Sequence, residues 1–298
     1  MLILPKFELF TPETLEETLE LLSKYGSDAK LLAGGTELLP LLRTGRIKTP
    51  KYVVSLAKLQ KQLSYVREEG EYIRIGALTT IWDLSQSFLA RDKRYAGFID
   101  AFQGFGTISI RFMATLGGNI VSATQYSDYI TLLLVYDAIV KLRSTKGERE
   151  VKLENFVIDK RRVDLKPEEL VVEIYFKKPS ENCSSSFMKF DRRRLLIAGI
   201  VTGAAYMCLD GDTITDIRIS FDMVRDKRTP SRAKKVEEFL RGKKFSEELL
   251  REAAEKVLPT EMVRISDWWT NAEYRLEMSK VVLRRNLLRI YERIRGGE

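Results

Sequence analysis

The chain has 298 residues, 44% of them hydrophobic and 31% charged, so its composition is that of a globular protein with room for two or three compact units. Lysine and arginine number 50 and aspartate and glutamate 42, which gives a formal net charge of +8. Histidine is absent and only two cysteines are present, which excludes the Ser-His-Asp triad, histidine general bases and an iron–sulfur cluster held by this chain alone.

The first predicted unit covers residues 1–56 and combines helices with short strands. Apolar residues at helical spacing and a proline beside a capping residue indicate the first helix, and short apolar runs indicate the strands. In chain order we predict a helix begun by Thr11-Pro12-Glu13 and ended by Gly26, a strand at 30–33, a brief helix capped by Thr36 and ended near Gly45, and a strand at 52–56.

The second predicted unit, residues 57–177, opens with a hairpin joined through Glu69-Gly70-Glu71. Helical and strand periodicities then follow one another along the chain. In chain order we predict hairpin strands at 63–67 and 72–75, helices at 82–89 and 96–105, a glycine loop at 115–119, a helix to about residue 136, and strands at 138–143 and 170–176.

The third predicted unit, residues 178–298, follows a change in composition. Residues 177–186 contain proline, asparagine and three consecutive serines, so we place the domain boundary there. Arginines crowd the last predicted helix, which suits a helix C-terminus and predicts a solvated basic face. In chain order we predict strands at 186–190, 203–208 and 214–221, and helices at 231–241, 246–257 and 272–294.

Two Gly-Gly pairs, each placed after an apolar run and before a polar residue, are the strongest local signal. They are Gly34-Gly35, followed by Thr36, and Gly117-Gly118, followed by Asn119. Glycine permits positive φ and lets a ligand lie against bare main chain, where N–H groups meet phosphate oxygens. Asp128 closes the second segment and can cap a helix or accept a hydrogen bond from a ribose hydroxyl. The two pairs together suit a ligand with two phosphates and large flat ends.

The composition also bears on location and partners. No apolar run approaches the roughly 20 residues of a membrane span, and no signal peptide is evident, so we expect a cytoplasmic protein without a membrane span. A disulfide between Cys183 and Cys208 is therefore not expected. The basic charge admits nucleic-acid binding, but interleaved charges of both signs resemble a thermophile surface rich in ion pairs. We expect no nucleic-acid partner.

Several ordered motifs add a family resemblance that covers nearly the whole chain. They are Ala33-Gly34-Gly35-Thr36-Glu37-Leu38-Leu39-Pro40, Ile75-Gly76-Ala77-Leu78-Thr79-Thr80, Ile110 to Asn119 extended to Asp128, Thr229-Pro230, and Ser266-Asp267 through Ala272-Glu273-Tyr274-Arg275 to Leu283-Arg284-Arg285. With these motifs the chain resembles the FAD-binding medium subunit of the molybdenum hydroxylases, the family of carbon monoxide dehydrogenase, aldehyde oxidoreductases and xanthine dehydrogenase.

The resemblance implies an α+β fold. Two N-terminal α+β subdomains, residues 1–56 and 57–177, clasp FAD in a PCMH-type arrangement, and a C-terminal α+β domain, residues 178–298, adds a small antiparallel sheet and helices. It implies cofactor-binding roles but no catalytic residue and no metal ligand. By motif match those roles fall to Leu32, Ala33, Gly34, Gly35, Thr36, Glu37, Thr115, Gly117, Gly118, Asn119, Ser122, Asp128 and Lys189. Near the flavin ring, where carbon monoxide dehydrogenase has Asp-Tyr, this chain has Leu196-Ile197.

The resemblance also implies partners, because a bound cofactor carries the chemistry that the side chains lack. Electrons from a large molybdopterin subunit pass through a small iron–sulfur subunit to FAD on this chain and then to an external electron acceptor. The first alternative is a self-contained FAD-dependent reductase or oxidase of the same broad fold. The second is a basic nucleic-acid-binding protein, which predicts salt-dependent binding and no yellow chromophore.

Overall fold

The computed structural model describes residues 3–191, 199–222, 229–263, 265–267 and 270–296; Leu196-Ile197 therefore lie outside the described residues. The fold is α+β, as expected from the sequence, with a separate sheet in each of three regions. We call residues 3–56, 57–177 and 178–296 the N-terminal, central and C-terminal regions. No helix within the described residues is both long and apolar enough to cross a membrane.

The N-terminal region is a parallel three-stranded sheet in the order β1-β3-β2 with two helices. The first helix begins later than predicted, because the hydroxyl of Thr14 accepts the Glu17 N–H and so caps it. The second helix has Glu37 rather than Thr36 at its cap position, with no capping side chain. The elements are β1 Glu8–Phe10, α1 Leu15–Tyr25, β2 Ala29–Leu32, α2 Leu38–Arg43 and β3 Tyr52–Ser55.

The central region is an antiparallel five-stranded sheet, packed against helices, in the order β4-β5-β10-β6-β7. The predicted hairpin is confirmed, although its first strand starts at Val66. The second glycine pair lies inside a helix, not in the predicted loop, because Thr115 caps that helix and glycine tolerates helical φ. The elements are α3 Gln60–Leu63, β4 Val66–Glu69, β5 Tyr72–Gly76, α4 Ile81–Gln86, α5 Gly97–Gly104, α6 Ile108–Met113, α7 Leu116–Ser122, α8 Asp128–Leu134, β6 Ile139–Ser144, β7 Gly147–Lys152, α9 Leu153–Phe156, β8 Val157–Asp159, β9 Arg162–Val163 and β10 Leu170–Lys177.

The C-terminal region is an antiparallel four-stranded sheet covered by helices on one face and by the central region on the other. Alternate residues of its second strand divide between two apolar cores: Ala205 and Met207 face the helices, whereas Ala204 and Tyr206 join the core of the central region. This two-sided burial positions the C-terminal sheet against the central region. The elements are β11 Cys183–Phe190, β12 Val201–Asp210, β13 Thr213–Asp222, β14 Ser231–Arg232, α10 Lys234–Leu240, α11 Glu247–Glu252 and α12 Ala272–Arg295.

The serine-rich stretch is part of the buried strand β11 and not of a polar connection. Each serine is fully buried, and each hydroxyl has a hydrogen-bond partner on another element, which offsets the cost of burial. The hydroxyls bond to Lys93 O (Ser184, 2.6 Å), Tyr136 Oη (Ser185, 2.6 Å) and Asn286 Oδ1 (Ser186, 2.8 Å). The serines therefore tie the C-terminal sheet to its neighbours.

The expectation that the two cysteines stay unpaired is wrong. Cys183 and Cys208 are directly opposite one another in the antiparallel pair β11–β12 and form a disulfide bond with an S–S distance of 2.08 Å. The physical reason is strand register, which sequence spacing does not reveal: the pairing of β11 with β12 brings the two side chains to the same face. The disulfide joins the first two strands of the C-terminal sheet.

The predicted solvated basic face of α12 is also partly wrong. Arg293 donates to both carboxylate oxygens of Asp100 on α5, each at 2.8 Å, and Arg289 lies 3.7 Å from the same carboxylate. Arg295 pairs with Asp212 at the β12–β13 turn. These arginines therefore attach the last helix to the central region and to its own sheet.

Candidate functional site

A cleft of about 660 Å³ lies where the three regions meet. All three regions contribute to its walls, and its volume is that of a typical cofactor site. Leu32 is the one predicted site residue that does not line it; its side chain instead lies beneath the first glycine loop, close to Gly35. The predicted residues that line the cleft are Ala33, Gly34, Gly35, Thr36, Glu37, Thr115, Gly117, Gly118, Asn119, Ser122, Asp128 and Lys189.

The first glycine pair forms a loop between β2 and α2 with unused hydrogen-bond donors. Gly35 has φ of +71°, a left-handed conformation that favours glycine. The backbone N–H groups of residues 34–37 donate no hydrogen bond to any described residue. Consecutive free amides around a left-handed residue make a concave site for anions. This loop can therefore bind phosphate groups through its main chain.

Gly34 is the point at which the two glycine-containing segments touch. A Cβ atom at this position would lie 1.7 Å from the carbonyl oxygen of Met113, the last residue of α6. No other residue type fits there without movement of the main chain. The contact fixes the distance between the first loop and the segment that leads into α7.

The second glycine pair does not present free amides, contrary to the expectation from the sequence. Thr115 caps α7, and the first three N–H groups of that helix are all used within the central region. The bonds run from Leu116 N to Thr79 O (2.9 Å), from Gly117 N to Ala77 O (2.9 Å) and from Gly118 N to Thr115 Oγ1 (3.1 Å). A Cβ atom on Gly117 would lie 2.8 Å from Ala77 O. Gly117 therefore serves close packing, while Gly118 leaves space in the cleft.

Asn119 supplies a polar group that has no partner in the described protein. Its side chain is buried, its Nδ2 donates weakly to Tyr126 O at 3.4 Å, and its Oδ1 has no hydrogen-bond partner. Ser122 donates to Asn119 O at 2.9 Å and lies 3.0 Å from the hydroxyl of Ser127. A buried polar atom without a partner is costly, so Asn119 is poised to bind a ligand in the cleft.

Asp128 and Lys189 form a buried ion pair in the cleft wall. Lys189 Nζ lies 2.9 Å from Asp128 Oδ2, and the two side chains are only 7% and 3% exposed. Burial raises the pKa of Asp128, and the lysine ammonium opposes this shift. Asp128 is the first residue of α8, whose cap position is held by Ser127. The pair joins the central and C-terminal regions at the cleft.

Sequence reasoning missed several residues of the cleft. Phe105 and Gly106 belong to a segment that carries no distinctive spacing, although Ile110, Ala114 and Tyr126 lie within a motif already quoted. Arg161, in the turn between β8 and β9, also lines the cleft and pairs with Glu37 at 2.6 Å. No sequence pattern indicates that residue, because its position depends on the packing of two regions. The missed residues are Lys30, Leu31, Leu38, Leu41, Ile47, Leu56, Ala77, Leu78, Phe105, Gly106, Ile110, Ala114, Val121, Thr124, Tyr126, Arg161, Leu165, Leu170 and Val171.

The arrangement fits a long ligand with an anionic middle and apolar ends. Free amides at one loop suit phosphate oxygens, the unpartnered amide oxygen of Asn119 suits a donor, and apolar walls that include Leu56, Leu165 and Val171 suit flat rings. In the described part of the chain, no group of three or more carboxylate or cysteine side chains could hold a metal ion. The residues present therefore fit a dinucleotide such as FAD.

Comparison with known protein families and proteins agrees with the geometry. Residues 5–178 match the model of the FAD binding domain in molybdopterin dehydrogenase, and residues 185–290 match the CO dehydrogenase flavoprotein C-terminal domain. The chain is 29% identical to the nicotinate dehydrogenase FAD-subunit of Eubacterium barkeri over 296 residues, which is 98% of each chain. It is 31% identical to the glyceraldehyde dehydrogenase medium chain of Sulfolobus acidocaldarius over 279 residues, 93% of this chain and 96% of the relative.

A solved structure has the same fold. The structure is similar to carbon monoxide dehydrogenase from Hydrogenophaga pseudoflava, with a TM-score of 0.90 at 28% identity, over 98% of this chain and 99% of that one. The first family model alone covers more than half of the sequence. The chain therefore belongs to the FAD-binding medium subunits of the molybdenum hydroxylase family, the flavoprotein components of oxidoreductases such as carbon monoxide dehydrogenase and xanthine dehydrogenase.

Proposed function

We propose that this chain is the electron-transfer subunit of a heteromeric molybdenum hydroxylase. In this proposal a large molybdopterin subunit oxidises the substrate, a small iron–sulfur subunit relays the electrons, and this chain passes them to an external acceptor. The observation that carries the proposal is the cleft between the three regions, whose free amides suit a diphosphate. The names of the relatives, such as medium chain and FAD-subunit, support the multi-subunit assembly.

FAD is the cofactor of this family, and when bound it supplies the redox chemistry. We propose that the loop of residues 34–37 holds the diphosphate through its amides. Asn119 donates or accepts a hydrogen bond beside it, Thr115 and Gly117 keep α7 in place, and Gly118 leaves room for the cofactor. Ser122 and Asp128 border the nucleotide half, and Lys189 closes the cleft from the C-terminal region. Twelve of the thirteen residues assigned from the sequence line this one cleft, which supports these roles.

We further propose that residues 1–56 and 57–177 are the two subdomains that clasp FAD and that residues 178–298 form the closing domain. Each has its own sheet within the described residues. The cleft draws residues from all three, including Lys189 from the third. The free donors of the first loop then belong to the first subdomain, and the buried pair Asp128–Lys189 joins the second to the closing domain.

The alternative of a self-contained flavin enzyme needs an acid–base pair facing a substrate. The one buried carboxylate in the cleft wall, Asp128, is already bound to Lys189 at 2.9 Å. Glu37 is bound to Arg161 at 2.6 Å. Both cleft-lining carboxylates of the described chain are therefore engaged, which favours a carrier of electrons over a complete catalyst.

Activity of the isolated chain tests the proposal. We expect the FAD-loaded chain alone to leave aldehydes and purines unoxidised, and the native protein to co-purify with two other chains through stable interfaces, which commonly bury about 2,000 Å² or more. The reconstituted assembly should oxidise one substrate class and reduce an external acceptor. Efficient turnover by the purified chain, with FAD as its only cofactor, would favour the self-contained enzyme instead.

A further inference from the structure

The turn between β8 and β9 carries an arginine in an unusual conformation at the edge of the cleft. Arg161 has φ of +60°, and its N–H donates to Ala123 O at 2.8 Å. Ala123 ends α7 and itself has φ of +42°. Non-glycine residues rarely adopt this conformation, and they persist where the surrounding structure holds them. The turn therefore positions Arg161 relative to the helix that forms one wall of the cleft.

The side chain of Arg161 reaches the first glycine loop from the central region. Its Nη1 atom lies 2.6 Å from Glu37 Oε1, and the two side chains are 44% and 38% exposed. Glu37 is the last of the four residues whose backbone amides are free. The guanidinium thus contacts a side chain of that loop, and Arg161 lines the same cleft as the free amides. Because an arginine has five N–H donors, the bond to Glu37 leaves others available.

A cleft that binds a diphosphate must supply positive charge in addition to the amides of the loop. A diphosphate is anionic, whereas backbone amides are neutral. The cations that line the cleft among the described residues are Lys30, Arg161 and Lys189. Lys189 is bound to buried Asp128, and Lys30 precedes Gly34 by four residues, which is about 13 Å of extended chain. Arg161 is the cleft-lining cation of the described residues whose side chain contacts the loop that carries the free amides.

We propose that Arg161 is a further cofactor-binding residue, whose guanidinium supplies positive charge to the diphosphate while its bond to Glu37 holds the first glycine loop in place. This inference rests on the proposed function, because it assumes that the cleft binds FAD. It adds to the main-chain site a charged side chain from the central region. An arginine suits this role because its planar fork can bind a carboxylate and a phosphate oxygen together.

The test is a titration of the full-length chain, freed of flavin, with FAD and separately with riboflavin, which lacks the diphosphate. We expect Arg161→Gln to weaken FAD binding about tenfold, the lower range for a charged hydrogen bond at a half-exposed site, with little change for riboflavin. Arg161→Lys should retain part of the affinity. Arg162→Gln is the matched control, since it removes the same charge from the next residue, which does not line the cleft. Its FAD affinity should stay within about twofold of wild type, a smaller change than the loss of one hydrogen bond to a charged group.

The salt dependence of FAD binding provides a second measurement. Loss of a cation that faces the diphosphate should reduce the effect of added salt on FAD affinity, because exposed charges are screened. Unchanged FAD affinity in Arg161→Gln would overturn the inference, and so would equal losses for FAD and riboflavin, which would indicate a structural role only. If Glu37→Gln lost as much FAD affinity as Arg161→Gln, the ion pair would serve only to hold the loop in place. That result would also contradict the inference. If wild type itself bound no FAD, the proposed function would fail instead.

Discussion

Replacement of Gly34 by alanine tests how the cleft is built. The added Cβ atom would lie 1.7 Å from Met113 O, whereas real Cβ contacts are essentially never under 3.0 Å, so the main chain must move by about 1.3 Å or more. Crowding of this kind costs roughly 1–3 kcal/mol. The same movement displaces the free amides of the loop. The loss of about two neutral hydrogen bonds to a diphosphate, at roughly 0.5–1.5 kcal/mol each, corresponds to FAD binding weakened about 5- to 150-fold.

The assay is fluorescence titration of the flavin-free protein with FAD, together with thermal unfolding of the same samples. Gly104→Ala is the matched control, because a Cβ at this helical glycine meets nothing closer than 3.9 Å; it should leave FAD affinity and the melting temperature near those of wild type. FAD affinity within twofold of wild type in Gly34→Ala would refute the reasoning that this backbone contact sets the width of the cleft.

Three further changes probe interactions that stabilise the fold within and between the regions. Asp128→Ala leaves the buried Lys189 without a partner and should lower the free energy of unfolding by roughly 3–5 kcal/mol; urea denaturation checks this, and an additional Lys189→Met substitution should restore part of the loss. Cys208→Ser opens a cross-link with a sequence separation of 25 and should cost roughly 3–4 kcal/mol; reductant should destabilise wild type but not the variant. The hydrogen bond from Arg149 lowers the pKa of Glu169 in the folded protein. The stabilisation from this bond is therefore fully present above pH 4.5, the ordinary pKa of the carboxyl, and is lost as the pH falls through the lowered pKa of the folded state. The difference in unfolding free energy between wild type and Glu169→Gln should therefore shrink in acid, and a constant difference across pH would contradict it.

Local patterns in the sequence were sufficient to predict an element where the segment's own residues determine its structure. The turn around Gly70 and the strand pair joined by Asp210-Gly211-Asp212 lie where predicted, although the first hairpin strand starts later, because turn glycines with alternating apolar residues specify both. The apolar run into the first glycine pair also predicts β2 correctly. The two strand pairs depend on contacts between residues close in sequence.

The errors occur where tertiary packing overrides local preference. The sequence around Gly117-Gly118 predicts a loop. The Thr115 cap and two backbone hydrogen bonds to the segment after β5 instead make it the start of α7. The composition of residues 177–186 predicts a domain boundary, but its serines belong to the buried strand β11, because partners on other elements offset their burial. The disulfide and Arg161 depend respectively on strand register and on the meeting of two regions. No spacing along the chain contains that information.

We propose that this chain accepts electrons from a cluster-bearing partner and not from an organic substrate. The most direct measurement mixes the FAD-loaded chain, without oxygen, with the chemically reduced small iron–sulfur subunit and follows the flavin absorbance. We expect rapid bleaching with the reduced partner and none with aldehydes or purines alone. A flavin that stays oxidised beside the reduced partner, yet is bleached directly by such a substrate, would contradict it.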